Sequence, residues 1–243
     1  MTITTTGIAF LVSSIGLAFC GIRFFEAFKG VGVVHPSKKT GILLSSFFVV
    51  LSLQHGVISL GSLFFGYSSY GLLLVNVVDV LVLTVAASLG VYIMFYIIFP
   101  SISPWSSVFS ILLFGLFVAV LMFFSGSEPF INSAGNIDWD FSKVSAFGFL
   151  YLLLVSLIAP IVIFGKNYLI SSNMKVKTIS SILVFVHILG IINVSLLMGK
   201  YVSISENTEI FFFDKMLFFI GVVFVLTFFV QPIFHRIRRR DIE

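Results

Sequence analysis

The sequence predicts an all-α polytopic membrane protein of seven transmembrane helices, with the N-terminus outside and the C-terminus cytoplasmic. Three observations carry this. The 243 residues are 59% hydrophobic and 10% charged, whereas a soluble domain carries about 25% charged residues. The apolar residues gather in seven blocks, 3–22, 41–65, 70–98, 107–124, 144–165, 178–198 and 210–234, and a helix of roughly 20 residues crosses a hydrocarbon core of about 30 Å. Lys and Arg collect between alternate blocks, which is the pattern that orients a chain in a bilayer.

Block 3–22 is too long for the apolar part of a signal peptide. It has no basic leader, and Arg23 follows it, so it reads as a retained first helix. The next segment sets Phe24, Phe25 and Phe28 at helical spacing beside Arg23, Glu26 and Lys29, ending at His35-Pro36, where His35 reads as a solvated loop residue. Blocks 41–65 and 70–98 are joined only by 66–69, which forces an antiparallel hairpin. The longest polar interval, 125–143, holds the turn formers Gly126, Pro129, Gly135 and Asn136. It is too short to build a separate core, so 1–243 reads as one transmembrane domain. Trp139 in that interval and Trp105 after Pro104 read as anchors at the two membrane–water interfaces. Pro160 is expected to kink the fifth helix or fray its last turns.

With the N-terminus outside, the cytoplasmic segments hold Arg23, Lys29, Lys38, Lys39, Lys166, Lys175, Lys177, Arg236, Arg238, Arg239 and Arg240, leaving Lys143, Lys200 and Lys215 outside. The net charge of +4 therefore reports membrane orientation, and no nucleic-acid partner is implied. Arg236, Arg238, Arg239 and Arg240 read as a charge cluster that stops translocation and meets lipid headgroups or a partner, each worth about 1 kcal/mol on an anionic surface. The single cysteine, Cys20, makes no internal disulfide and no multi-cysteine metal site.

The chemistry concentrates in a few polar residues inside the blocks: Gln54 and His55 in 41–65, Asn76 and Asp79 in 70–98, and His187 and Asn193 in 178–198. At 1.5 Å per residue, His55 and Asp79 each lie about 14 Å below the outer face, and His187 lies at a similar depth. Asn76 stands one turn from Asp79 on the same face. A carboxylate at that depth costs about 3 kcal/mol on insertion scales. Asp79 is therefore expected to face the bundle interior and to be protonated, paired with His55 or His187, or hydrated. It is also the only acid this reading places inside the membrane. Two readings follow: a functional pocket open to the outside for a ligand or a proton, or an interhelical hydrogen-bond cluster that only holds helices together.

Other constellations are weaker. His55 and His187 at one depth invite a bis-histidine haem, but Asp79 competes for His55 and there is no second pair, so haem is disfavoured. Retinal proteins need a lysine in the middle of helix seven, whereas Lys215 lies near its outer end. The G-protein-coupled receptor signature is missing too, since Tyr96-Ile97-Ile98-Phe99 and Gln231-Pro232-Ile233-Phe234 stand in its places. No cofactor is expected. No nucleophile–base constellation, phosphate loop or metal spacing points to an enzyme.

The layout, with the tail Phe234-His235-Arg236-Ile237-Arg238-Arg239-Arg240-Asp241-Ile242-Glu243 leaving the last block like the start of a signalling helix, resembles the seven-helix membrane input regions of bacterial histidine kinases and diguanylate cyclases. The resemblance is one of architecture over the whole chain. It implies a receptor-like module in the cell membrane that relays signals to a cytoplasmic partner. The competing expectations are a non-catalytic subunit among other membrane subunits, and a proton-coupled transporter using Asp79 and His55.

Overall fold

A computed structural model describes residues 4–29, 36–132, 135–202 and 210–230, with backbone alone at 36–37, 198–202, 210–213 and 230. His35 and the arginines Arg236, Arg238, Arg239 and Arg240 lie outside the described residues. The elements are α1 (Thr5–Lys29), α2 (Pro36–Phe65), α3 (Ser69–Ile98), α4 (Trp105–Phe124), a hairpin of β1 (Phe130–Ile131) and β2 (Ile137–Asp138), α5 (Lys143–Ile170), α6 (Met174–Val202) and α7 (Ile210–Val225). A π-helical stretch, Leu226–Val230, continues α7. Six helices, α1 to α6, are long and apolar enough to cross a bilayer. They make the chain an all-α multi-pass membrane protein. Most run several residues beyond the apolar blocks, because helix formation does not stop where hydrophobicity does.

Helices consecutive in the chain are antiparallel, so the ring neighbours α3 and α5, and α1 and α7, run parallel. One end of the bundle, called here the hairpin end, carries the α2–α3 turn, the β-hairpin and the start of α1. The other, the far end, carries the α3–α4 and α5–α6 connections. Packing runs α1 to α2, α2 to α3, α3 to α5, α5 to α6, α6 to α7 and α7 back to α1, which closes a ring of six helices. Helix α4 sits outside the ring against α3 and α5. It docks there through small residues: a methyl added at Gly148 would fall 2.6 Å from Val118, the close approach that lets helices associate in lipid. The outward side of α4 is bare, with Phe109, Leu113, Leu116, Phe117 and Phe124 all exposed.

The seams of the ring are made the same way. Ser14 and Ser52 exchange hydrogen bonds, each hydroxyl donating 2.8 Å to the other's carbonyl across α1 and α2. On α7, Gly221 lies so close to α1 that an added methyl would stand 2.6 Å from the Ser13 amide nitrogen. At the far end, Arg23 Nε donates 3.0 Å to the Phe228 carbonyl in the π-helical stretch. Helix α5 runs unbroken through Pro160 to Ile170, so its last turns are not frayed as the proline suggested. Burial of Ala159, Pro160, Ile163 and Phe164 against the other helices holds them in register.

The segment between α4 and α5 differs from the loop expected. It forms a short antiparallel hairpin, Phe130 opposite Asp138 and Ile131 opposite Ile137, with Gly126, Gly135 and Asp140 at positive φ. Trp139 is not an interfacial anchor: it is 5% exposed and packs into the bundle with Ile137 and Phe141. The open end of a six-helix ring offers its side chain more apolar contact than the bilayer surface does. Trp105 is exposed at the far end and stacks edge-on with Tyr92.

Candidate functional site: a polar cavity inside the ring

The ring encloses a cavity of about 100 Å³, lined by α1, α2, α3, α5, α6, α7 and the hairpin but not by α4. A water needs roughly 10–15 Å³ of such space, so several fit. The volume falls below the 300–1,000 Å³ or so of drug-sized pockets. Every polar residue singled out in the sequence lines it: Gln54, His55, Asn76, Asp79, His187 and Asn193. The tertiary structure adds Ser13 from α1, Ser156 from α5, and Trp139 and Phe141 from the hairpin.

The helical repeat explains the convergence. Phe10, Ser13 and Leu17 form one stripe of α1. Leu51, Gln54 and Ile58 form one on α2, and Asn76, Asp79 and Leu83 one on α3. Each stripe mixes one or two polar groups with large apolar ones, and the ring turns all of them inward. The stripe on α1 was legible as Thr6, Phe10, Ser13 and Leu17 at spacings of four, three and four. Serine and threonine are ordinary in membrane helices, so that stripe carries little signal by itself.

The pairing inside the cavity differs from that expected. Asp79 does not hydrogen-bond to either imidazole. Its Oδ1 accepts from Gln54 Nε2 at 2.6 Å. His55 Nδ1 lies 2.8 Å from Ser13 Oγ, and His187 Nδ1 donates 2.7 Å to the Leu183 carbonyl of its own helix. The physical reason is reach. Gln54 is next to His55 in sequence but about 100° further round α2, and that rotation aims it at α3 while His55 meets α1. Asp79 Oδ2 and Gln54 Oε1 have no hydrogen-bond partner among the described residues.

Towards the far end the cavity rests on stacked aromatic rings. Phe48 packs on Phe164 at 6.2 Å and on Phe224 at 6.3 Å between ring centroids, and Phe24 stacks on Phe48 at 5.5 Å. The Phe48–Phe164 contact joins α2 to α5, which are not neighbours in the ring, so this layer crosses the interior. His187 marks its upper boundary, with Phe48 and Phe224 each about edge-on to the imidazole.

At the hairpin end Trp139 and Phe141 form a roof. The hairpin is tied to α1 and α7 by polar groups. Thr5 N–H donates 3.1 Å to the Gly135 carbonyl, and the Thr5 hydroxyl bonds to Asn136 Oδ1. Thr6 Oγ1 accepts from the Ile137 N–H at 3.0 Å and donates to Asp214 Oδ2 at 2.6 Å. Asp214, near the start of α7, is thus a second buried acid, 5% exposed. Thr6→Val keeps the shape but strips both bonds from one atom. The expected result is a loss of roughly 1–3 kcal/mol, seen as a lower thermal midpoint and as faster proteolysis within 125–142.

Among the described residues no three of His, Cys, Asp or Glu come together as a metal site. No family model matches the chain, and no curated protein or solved structure matches it either.

Proposed function

We propose that the protein is a receptor-like sensory module of the cell membrane, non-catalytic, whose interior cavity takes a small ligand or a proton from outside. The single observation that carries this is the polar cavity with an aromatic floor and a hairpin roof. A transporter alternates access to both faces, and the packed layer of Phe24, Phe48, Phe164 and Phe224 on the far-end side of the cavity weighs against a continuous path. A hydrolase would need a group to orient the Ser13–His55 pair, and Asp79 is engaged by Gln54 instead.

In this reading α7 is a seventh span and the far end is cytoplasmic. The exposed Lys29, Lys39 and Lys175 and the half-buried Arg23, Lys38, Lys166 and Lys177 all lie there, an excess that orients membrane proteins. The Arg23–Phe228 hydrogen bond supports a relay from the cavity wall to the segment carrying Arg236, Arg238, Arg239 and Arg240, where anionic lipid or a cytoplasmic partner would receive it.

Sidedness of access tests the proposal. Ser13→Cys in a Cys20→Ser background places one thiol in the cavity wall. A membrane-impermeant thiol reagent is expected to modify it from the hairpin end and not from the far end of oriented vesicles. Modification from both sides would favour transport. Modification from neither would reduce the cluster to packing.

A further inference from the structure

Two acceptors in the polar lining of the cavity stand unmet. Gln54 commits its amide nitrogen to Asp79, so Gln54 Oε1 and Asp79 Oδ2 are left without a partner among the described residues, on side chains only 2% and 1% exposed. His187 uses Nδ1 as a donor to a carbonyl, so in the neutral ring its Nε2 is a third acceptor. Among the described residues no lysine or arginine lines the cavity, and none of them gives the carboxyl a counter-charge. An unpaired carboxylate in a membrane interior calls for a cation or a proton.

The apolar lining narrows the class of cation. Phe10, Trp139, Phe141, Phe149 and Phe224 come from four different elements to the same space, and aromatic faces attract positive charge, most strongly when it is desolvated. The cavity of about 100 Å³ exceeds what a bare ion fills and approaches the roughly 150 Å³ that holds a benzene-sized molecule.

We propose that the cavity binds a small protonated organic amine. Its ammonium donates hydrogen bonds to Asp79 Oδ2 and Gln54 Oε1, and its carbon skeleton lies against the aromatic wall. The proposal rests on the pocket reading above and names its ligand class.

The chain has two tryptophans, so Trp105→Phe leaves Trp139, in the cavity roof, as the only reporter. The full chain in lipid nanodiscs is titrated with methylammonium, butylammonium and cyclohexylammonium chlorides. Butanol, cyclohexanol, sodium butyrate and sodium chloride serve as matched probes at equal ionic strength. The expected result is a saturable change in Trp139 emission with at least one ammonium and with none of the other probes. Asp79→Asn is expected to weaken that binding at least about tenfold, the factor that 1.4 kcal/mol represents. If Asp79→Asn does not fold, the charge selectivity of the parent decides.

Saturation by an alcohol, by butyrate or by sodium as readily as by an ammonium overturns the amine assignment. So does the absence of any response while the Ser13→Cys thiol remains reachable from the hairpin end, and in both cases the pocket survives. Loss of that reachability overturns the pocket itself and the amine with it.

Discussion

Gln54→Leu is expected to destabilise the protein by about 2–3 kcal/mol, and Asp79→Leu added to it is expected to return most of that loss. Among the described residues Gln54 Nε2 is the one donor to the Asp79 carboxyl, at 2.6 Å. Removing it leaves Asp79, 1% exposed, with no partner inside a low-dielectric bundle, and a buried group stripped of its partner costs more than the bond contributed. Replacing both groups by leucine removes the unmet polar atoms along with the bond, and such exchanges are close to neutral. The coupling energy separates a special pair from ordinary glue. Interhelical hydrogen bonds in membranes average about 0.6 kcal/mol and reach about 1.7 at most. A double-mutant cycle on thermal or denaturant stability that gave about 0.6 would make the pair one more fastening between α2 and α3. A coupling above about 2 would mark Asp79 as a group kept in place despite its cost, as a binding residue is.

Gly221→Val is expected to be the most damaging change on the lipid-free side of the ring, by about 3 kcal/mol, the upper end for overpacking. The added carbon would meet Ser13 backbone atoms at 2.6 and 2.8 Å. Gly16 mirrors it from α1, where an added methyl would stand 2.8 Å from the Gly221 carbonyl oxygen. Backbone cannot rotate away as a side chain can, so α1 and α7 must separate, and Ser13 would carry the His55 contact with it. Two other glycines calibrate the result. Gly56→Ala meets Ser14 Oγ at 3.4 Å, and Gly165→Ala meets nothing within 4 Å. The first should be nearly neutral. The second should be neutral or stabilising by up to about 1 kcal/mol, as alanine is the better helix former. Thermal midpoints of the three variants give the ordering. Equal losses in all three would mean that the α1–α7 seam is not a tight contact.

The site was half legible. Polar residues deep in apolar blocks stand out because their cost in lipid is large, and helix periodicity places them in depth; that sufficed to bring Gln54, His55, Asn76, Asp79, His187 and Asn193 to one cavity. Which of them bond to which was not legible. Depth is set by 1.5 Å per residue along a helix, but pairing is set by rotation about its axis, and an apolar all-round helix gives that rotation little signal. Hence an imidazole stood among the partners expected for the carboxyl beside protonation and hydration, while one residue's rotation on α2 hands it to Gln54.

From its composition alone the chain was committed to lipid and to helices, because only structures that satisfy every backbone hydrogen bond internally survive in hydrocarbon. The positions of its polar residues along those helices were equally settled by counting. The ring closure by α1 and α7, the exclusion of α4, the aromatic floor and the hairpin roof with Trp139 turned inward were decided by tertiary packing. They depend on where small residues let two backbones meet, as at Gly221 and Ser13. Such contacts join residues some two hundred positions apart, a relation that no local pattern in the sequence encodes.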